Sequence, residues 1–266
     1  MVPVLFHPLK CSMSTVSEHY ERLLAKHYTW MFGISFEEKV DEQKSVLSEA
    51  LKTLSTGPAP ALAIDLGSGP GFQTIALAKL GFSPVIAVDT SSELLEELRS
   101  HTDGLAVQIR KADLRELPEI VPPGQATVIV CMGDTLTHLP GRSDVSSLFK
   151  EIYKALVPGG IFVLTYRDLT TELHGTERFV PVRSDENTIL TCFLEYEDPE
   201  SVVVHDLLHT RQETGWTLSK SSYRKLRLGV GWLVQQLKDS GLVVESQGSS
   251  GRLLQIVASK PSHKSV

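Results

Sequence analysis

The sequence lacks the features of several large protein classes. Its three cysteines, Cys11, Cys131 and Cys192, are odd in number and far apart, which argues against a disulfide framework or a zinc site. His205 and His209 could share a face, but no third ligand accompanies them, so no metal site is expected. No apolar run approaches the roughly 18 residues of a membrane span. These absences favour a reducing, cytosolic compartment.

The sequence also lacks an excess of positive charge. Its 26 Lys and Arg residues against 32 Asp and Glu residues give a formal net charge of -6, which argues against an extended nucleic-acid-binding surface. One group of basic side chains, Lys220, Arg224, Lys225 and Arg227, is interpreted as a solvated strand edge. Residues 1–13 have no signal-peptide layout and are expected to be disordered.

What the sequence does contain is a glycine-rich turn between two apolar runs that each lead to an acid. The segment Ala61–Leu80 reads ALAIDLGSGPGFQTIALAKL, and a second apolar run ends at Asp89. Glycines in such a turn let a ligand approach the backbone closely. An acid about 20 residues further on can accept hydrogen bonds from ribose hydroxyls. The segment therefore predicts a nucleoside-binding crevice.

The details of this turn argue against a dinucleotide. The glycine spacing is Gly-x-Gly-x-Gly rather than Gly-x-Gly-x-x-Gly, and Pro70 removes a backbone donor. Asp65 adds negative charge where a pyrophosphate would otherwise bind, so it would repel that group. The same carboxylate would attract a ligand that carries positive charge.

The hydrophobic pattern divides the chain into three parts, a disordered terminus (1–13), a helical lid (14–56) and a main domain (57–266). The lid is predicted to hold a helix from Ser17–Glu18 and a second helix at about Ser35–Leu54. The main domain alternates strands and helices, which is typical of a doubly wound parallel sheet. Its predicted strands are Ala61–Leu66, Pro84–Asp89, Ala106–Lys111, Ala126–Met132 and Ile161–Tyr166, and its predicted helices are Gly71–Leu80, Ser91–Thr102 and Ser143–Leu156.

An insertion at about 178–228 interrupts the alternation. Three segments, Thr188–Tyr196, Ser201–Arg211 and Trp216–Leu228, are predicted to be strands that pair antiparallel as an excursion from the main sheet. A helix at Val230–Ser240 and a hairpin of Leu242–Glu245 with Leu253–Ser259 are predicted to close the chain.

Together these motifs resemble the class I S-adenosylmethionine-dependent methyltransferases. The resemblance rests on DLGSGPG (Asp65–Gly71), VIAVD (Val85–Asp89), KADLRELP (Lys111–Pro118) and LVPGGIFVLTYRD (Leu156–Asp168). It implies a Rossmann-like α/β fold with a seven-stranded sheet whose last strand is antiparallel. It also implies S-adenosylmethionine as the cofactor, which agrees with the preference for a cationic ligand.

The resemblance assigns expected roles around that cofactor. Asp65 would lie near the methionine amino group, Asp89 would bind the ribose hydroxyls, and Asp113 would accept a hydrogen bond from the adenine amine. The other residues expected to contact the cofactor are Gly67, Ser68, Gly69, Gly71, Thr90, Leu114, Met132 and Gly133.

A narrower resemblance lies after the fourth strand. CMGDTLTHLP (Cys131–Pro140) is similar to a loop of the glycine N-methyltransferase-like small-molecule enzymes, with Asp134 in place of the usual Asn and Thr135 in place of Ser. An acid at this position would repel a carboxylate on the acceptor, although it could hold an amine or accept a proton. Arg167, within TYRD, occupies the position of the arginine that binds the substrate carboxylate in that group.

Several candidates for the acceptor site keep a structural alternative. His138 is the candidate general base, or else it only fixes its loop. Asp134 orients the acceptor or caps the same loop, and Arg167 anchors the acceptor or pairs within its own loop. Tyr28 and Trp30 cover the site as substrate-binding residues of a lid, or they only staple two helices together.

The expected function is transfer of a methyl group from S-adenosylmethionine to a nitrogen or oxygen of a small-molecule acceptor. A covered pocket and the acidic charge favour a small acceptor over nucleic acid, and neither a membrane nor a particular oligomeric state is implied. The alternatives are an NAD-linked oxidoreductase, a non-catalytic S-adenosylmethionine-binding regulator and an RNA methyltransferase. The glycine spacing and Pro70 speak against the oxidoreductase.

Overall fold

A computed structural model describes residues 15–52 and 61–262. The expected disorder of residues 1–13 and the linker before residue 61 lie outside these described residues. Strands, in chain order, are β1 (Ala63–Leu66), β2 (Val85–Asp89), β3 (Val107–Lys111), β4 (Ala126–Cys131), β5 (Leu156–Tyr166), β6 (Phe179–Ser184), β7 (Thr188–Glu195), β8 (Ser201–Gln212), β9 (Gly215–Leu226), β10 (Val243–Ser250) and β11 (Leu253–Ser259).

The main sheet has seven strands in the order β10-β11-β5-β4-β1-β2-β3. Strands β1 to β5 are parallel to one another, whereas β11 pairs antiparallel with both β5 and β10. The central strand β1 is buried along its whole length, as expected of a strand covered on both faces. The sequence prediction of a seven-stranded sheet whose last strand is antiparallel is therefore confirmed.

Helices cover both faces of this sheet. They are α1 (Val16–His19), α2 (Phe36–Ala50), α3 (Phe72–Lys79), α4 (Ser92–Ser100), α5 (Leu117–Ile120), α6 (Arg142–Ala155) and α7 (Val230–Asp239). On one face, apolar side chains of α6 and α7, such as Phe149 and Leu233, pack against the sheet. On the other face, α2 and α3 contribute side chains such as Leu47 and Ile75.

The predicted antiparallel excursion is confirmed, and its strands form a sheet of their own. Its four strands pair antiparallel in the order β6-β7-β8-β9. Strand β6 is absent from the sequence prediction, because it is short and Pro181 interrupts its pattern. A proline is tolerated there since β6 is an edge strand. One face of this second sheet is apolar and buried, with Leu190, Leu194 and Val204 among its residues.

The first predicted helix is a chain of short helical turns. Thr15, not Ser17, is its N-cap, and Thr15 forms a reciprocal capping box with Glu18. After α1 the backbone passes through a π turn at Tyr20–Leu24 and then a 3-10 turn at Ala25–His27. We call residues 15–32 the cap. Its Leu23 and Leu24 pack against Leu190 and Leu208 of the second sheet.

Candidate functional site

A cavity of about 480 Å³ lies where the carboxyl ends of β1, β2 and β3 meet the cap and β9. In a doubly wound sheet this edge is where ligands bind. Eight of the residues predicted from the sequence line the cavity, namely Tyr28, Gly67, Gly69, Asp89, Thr90, Asp113, Leu114 and His138. The other predicted site residues lie outside its lining.

The glycine turn brings the backbone to the cavity wall. Gly67 has φ +73°, and a Cβ there would lie 2.2 Å from Cγ2 of Thr135. The amides of Gly67 and Ser68 both donate to the carbonyl of Val88, at 2.8 and 2.9 Å, which ties the turn to β2. Gly69 follows with φ +54°. Only glycine adopts this succession of left-handed conformations without strain.

Asp89 connects the end of β2 to the glycine turn. Its Oδ2 accepts from the amide of Gly69 and its Oδ1 from the amide of Ser91, each at 2.8 Å. Burial raises the pKa of Asp89, and these amide donors oppose the shift. A carboxylate offers about four acceptor positions, so positions remain for hydroxyl donors of a ligand in the cavity that Asp89 lines.

Three predicted cofactor residues lie behind the turn instead of in the cavity wall. Asp65 is 1% exposed and accepts from Oγ1 of Thr74 at 2.7 Å, and burial raises its pKa to about 7. Ser68 is also buried, and its Oγ has no hydrogen-bond partner among the described residues. Gly71 has φ +101°, and its α-carbon faces Leu98 of α4. These residues shape the turn from behind.

Asp113 is held by an arginine that the sequence does not single out. Nε and a terminal nitrogen of Arg115 donate to the two carboxylate oxygens of Asp113, at 2.9 and 2.8 Å. Burial alone would raise the pKa of Asp113, but the hydrogen bonds and the charge of Arg115 outweigh it and lower the pKa. Arg115 also pairs with Asp144 at 3.5 Å. The carboxylate at the end of β3 is thus ionised and fixed in position.

The loop after β4 holds Met132 and Gly133 away from the cavity. Met132 is buried in the core between the sheet and α3. The amide of Gly133 is engaged within the protein, since it donates to Oγ1 of Thr165 at 2.8 Å. Thr135, two residues further along, lines the cavity beside Gly67.

Asp134 forms a charge cluster with two cations. Its Oδ2 accepts a hydrogen bond from Nζ of Lys225, and its Oδ1 accepts from the amide of Arg167 at 3.1 Å. Nε of Arg167 lies 3.8 Å from Oδ2. Burial alone would raise the pKa of Asp134, but the charge of Lys225 leads a group of opposing effects that lower it. The acid is therefore ionised and paired.

The interpretation of the basic segment as a solvated strand edge was wrong for two of its residues. Lys225 is 12% exposed and lines the cavity. Arg227 is 5% exposed and donates to backbone carbonyls. Both point inward because β9 lies at the junction of the two sheets, and nothing local in the sequence indicates that placement.

His138 lies in an aromatic part of the cavity wall. Its Nε2 lies 3.3 Å from the hydroxyl of Tyr20, and its ring centroid lies 5.4 Å from that of Tyr223. Burial, followed by the nearby charge of Lys225, lowers the pKa of His138 to about 3. The imidazole is therefore neutral at physiological pH and can accept a hydrogen bond, but its low pKa makes it a weak base in the free protein.

The two aromatic residues predicted to contact the acceptor differ in position. Tyr28 lines the cavity, and its ring lies against Gly69 and Tyr20. Trp30 does not line the cavity, because it faces the second sheet. Its Nε1 donates to Asp185 at 2.6 Å and the guanidinium of Arg183 lies over its ring.

Arg167 is likewise outside the lining, with 47% of its side chain exposed.

Neither Tyr20 nor Lys225 is marked as a site residue by the sequence. Tyr20 stands on the apolar side of the first helical segment, and only the π turn and the adjacent β9 bring it to His138. Lys225 reaches Asp134 across 91 positions of the chain. A contact of that range leaves no periodic or motif signal.

Two further features concern the described part of the chain. Within residues 15–52 and 61–262, His, Cys, Asp and Glu side chains form no group of three that could hold a metal ion. Within the same residues, none of the helices combines the length and the apolar character needed to cross a membrane.

Comparison with known proteins points to one family. Residues 63–160 match the family model described as a methyltransferase domain. The chain is 30% identical over 107 residues to the glycine/sarcosine N-methyltransferase of Halorhodospira halochloris, a match that covers 40% of this chain and 39% of that protein. The first curated relatives are thus matched over 39 to 60% of their own length.

Solved structures share the fold over nearly the whole chain. A crystal structure of an S-adenosylmethionine-dependent methyltransferase from Clostridium acetobutylicum superposes with a TM-score of 0.69 at 16% identity, over 92% of this chain and 97% of that one. An amino pentose methyltransferase from Micromonospora echinaspora, solved with S-adenosylmethionine bound, gives 0.68 at 15% identity, over 88% and 95%.

Proposed function

We propose that the chain is a class I S-adenosylmethionine-dependent methyltransferase, since residues 63–160 match a methyltransferase domain, and that it transfers a methyl group from that cofactor to a nitrogen or oxygen of a small molecule. One observation carries the proposal. The same cavity is lined both by the glycine turn with Asp89 and Asp113 and by the Tyr20–His138 pair. Donor-binding and acceptor-facing groups therefore meet in one space.

The residues present fit S-adenosylmethionine. Gly67 and Gly69 expose backbone to the cavity, and the carboxylates of Asp89 and Asp113 line it. Asp65 stands behind the turn with a pKa near 7, so a nearby ammonium group would favour its ionised form. These three acids suit a ligand with cationic groups and would oppose a pyrophosphate. When bound, the cofactor supplies an electrophilic methyl group on a sulfonium.

The acceptor end offers a buried hydrogen-bond acceptor and a hydroxyl donor. His138 is neutral and within hydrogen-bonding distance of Tyr20, and the cap and β9 enclose both. Burial raises the pKa of Tyr20 well above its ordinary value, so its hydroxyl stays protonated. It can donate to His138 or to an acceptor atom. We assign to this pair the positioning of the acceptor through hydrogen bonds. A pKa near 3 makes His138 a weak base in the free protein, so it takes up the released proton only when the bound acceptor raises that pKa.

The first test is cofactor binding. Calorimetry should show saturable binding of S-adenosylmethionine and S-adenosylhomocysteine, weakened by about tenfold or more in Asp89→Asn, which loses a charge-assisted hydrogen bond. Asp103→Asn, at an exposed site, is the matched control and should bind as the wild type does. Absence of binding at millimolar cofactor would contradict the proposal.

The second test concerns the catalytic pair. Screening small amines, carboxylates and phenols with methyl-labelled cofactor identifies an acceptor, after which His138→Ala and Tyr20→Phe can be compared. If His138 acts as a base, His138→Ala should lower the maximal rate by about 100-fold or more and should change the cofactor affinity little. Turnover unchanged in His138→Ala would assign that residue to loop structure alone.

We also propose that the chain acts in the cytosol on small molecules rather than on RNA. Support comes from Cys131 and Cys192, which are free thiols, and from the enclosed cavity. The acidic net charge of -6 points the same way. Salt-dependent RNA binding in a filter assay would favour the RNA alternative. Cofactor binding without turnover of any acceptor would favour a regulator.

A further inference from the structure

The acidic side chains that line the cavity and the lysine that lines it lie at different ends. The carboxylates that line it, Asp89 and Asp113, follow β2 and β3 at the cofactor end. The opposite end, formed by the loop after β4 and by β9, presents Lys225 beside His138. In the main sheet, β4 lies on the other side of β1 from β2 and β3. The two charges therefore occupy different ends of the same cavity.

Among the described residues, three cationic side chains line this cavity, and two of them are fully engaged. Arg115 is bound by Asp113 and Asp144. Arg224 is bound by Glu197 and Asp198 at the surface. Each of these guanidinium groups therefore faces two carboxylates, which leaves no net positive charge for a ligand. Lys225 is the third cation of this set.

Lys225 has hydrogen-bonding capacity to spare. An ammonium group has three N–H donors, and within the described residues the one hydrogen-bond partner of Lys225 is Asp134. Asp134 is also paired with Arg167, so the cluster holds two cations and one anion. Burial is the main cause of the lowered pKa of His138, and the charge of Lys225 adds to it.

From this arrangement we infer that Lys225 determines acceptor specificity by binding an oxyanion, a carboxylate or a phosphate, carried by the acceptor. The inference rests on the proposed function and names the substrate class for it. It also explains how an anionic acceptor could bind near Asp134. The negative charge of Asp134 is offset by two cations, Lys225 and Arg167, so it does not repel that acceptor. The position expected to anchor a carboxylate, Arg167, lies outside the cavity, and Lys225 from β9 takes its place.

The test measures oxyanion binding without needing the natural acceptor. Protein saturated with S-adenosylhomocysteine and carrying 13C-labelled tyrosine rings is titrated with acetate and, separately, with inorganic phosphate at constant ionic strength in chloride. The rings of Tyr20 and Tyr223 border the proposed subsite and report on it. Saturable shifts are expected for at least one probe, and the two arms show which oxyanion is preferred.

Variants of the charge cluster should move the affinity in opposite directions. Lys225→Met should weaken binding by about tenfold or more, because a charge-assisted hydrogen bond is lost. Asp134→Asn should strengthen it, because Lys225 is released from its partner. Asp134→Asn with Lys225→Met removes both charges, so it leaves no unpaired buried acid, and it should bind as weakly as Lys225→Met. Lys220→Met, at an exposed site on the same strand, is the control.

The outcomes separate this inference from the proposed function. Two results would contradict the oxyanion subsite while S-adenosylhomocysteine still binds. One is chemical-shift changes in the wild type that stay linear with oxyanion concentration. The other is saturable binding retained both in Lys225→Met and in the double variant Asp134→Asn with Lys225→Met. Failure of S-adenosylhomocysteine to bind would instead contradict the proposed function. Once an acceptor is known, Lys225→Met should raise its KM far more than it lowers kcat, and Lys225→Arg should restore part of the loss.

Discussion

At the scale of single residues, Gly71 differs from Gly67 and Gly69 because its neighbour is a helix. Its φ of +101° and its contact with α4 both require glycine, and a Cβ would lie 2.1 Å from Cδ1 of Leu98. We predict that Gly71→Ala lowers the free energy of unfolding by about 3 kcal/mol, as the sum of a left-handed backbone cost and overpacking. Urea denaturation measures the change.

Gly104→Ala separates the two contributions. Gly104 has φ +74°, and an alanine methyl group there would have no described atom within 4 Å beyond its chain neighbours. Alanine at this position should therefore cost only the backbone part, about 1 kcal/mol. Equal losses in the two variants would show that α4 moves aside, and that the contact with Leu98 does not hold the turn.

Asp65 should make cofactor affinity depend on pH. Its pKa in the free protein is about 7, raised from 3.8 by burial, so it is largely protonated below that pH. A cationic amino group bound nearby favours the ionised carboxylate. Affinity for S-adenosylhomocysteine should therefore rise with pH up to about 7, and binding near pH 6 should release a proton.

Calorimetry in two buffers of different ionisation enthalpy counts that proton. Asp65→Asn should abolish the release and flatten the pH dependence, whereas Asp103→Asn should leave both unchanged. Identical pH profiles for the wild type and Asp65→Asn would show that the ligand does not interact with Asp65.

The sequence could predict the residues that lie together in one contiguous motif. Gly67, Gly69 and Asp89 line the cavity because the turn and the end of β2 form their geometry locally. The acceptor end is assembled from β9, the cap and the loop after β4, so its residues have no common motif. For that reason the sequence pattern places Lys225 at the surface and does not single out Tyr20.

At the scale of secondary-structure elements, Arg227 joins three segments. Its guanidinium donates to the carbonyls of Leu169, Thr170 and Asp198, at 3.1, 2.8 and 2.9 Å, and to Glu172 at 2.8 Å. The segment that leaves β5, the turn between β7 and β8, and the end of β9 thereby meet at one buried side chain.

Removing that side chain should destabilise the junction strongly. Arg227→Met leaves several carbonyls without donors, and we predict a loss of about 3 kcal/mol or more in the free energy of unfolding. Arg211→Met, at an exposed position of β8, is the control and should change stability by about 0.5 kcal/mol at most. A small effect of Arg227→Met in chemical denaturation would mean that water replaces the donors.

Element prediction from sequence succeeded for most strands of both sheets. Strands β1, β2 and β4 are continuous apolar runs between turn residues, and their bounds agree with the predicted ones to within two residues. In the second sheet, the bounds of β7, β8 and β9 also agree with the predicted ones to within two residues, and only β6, which carries exposed Phe179 and Val182, was missed. The separation of this sheet from the main sheet depends on which strands pair, and periodicity contains no information about pairing partners.

At the scale of the whole molecule, the cap connects the main domain to the second sheet. On one side, Oε1 of Glu21 accepts from the amide of Ser92 in α4 at 2.6 Å. On the other side, Nε2 of His19 lies 2.8 Å from Oδ2 of Asp206 in β8, and both side chains are buried. Tyr20, which lines the cavity, lies between these two attachments in the chain. The cap therefore encloses the cavity only while both sides hold it.

The His19–Asp206 contact should control whether the cap stays closed. His19→Ala removes the partner of Oδ2 of the buried Asp206 carboxylate, whose Oδ1 accepts from Sγ of Cys192, a change that costs about 3 kcal/mol in comparable buried pairs. If the cap opens as a local unit, amide hydrogen exchange across residues 16–27 should accelerate on the order of 100-fold, while strands β1 and β4 keep their protection.

Cofactor binding provides the second readout of the same motion. An open cap removes Tyr20 and Tyr28 from the cavity wall, so the affinity for S-adenosylhomocysteine should fall in proportion to the fraction of molecules that are closed. Lys26→Ala, at an exposed site on the cap, should alter neither exchange nor affinity. Faster exchange spread evenly over cap and main sheet would identify His19–Asp206 as a contact for global stability, because a local latch would leave β1 and β4 protected.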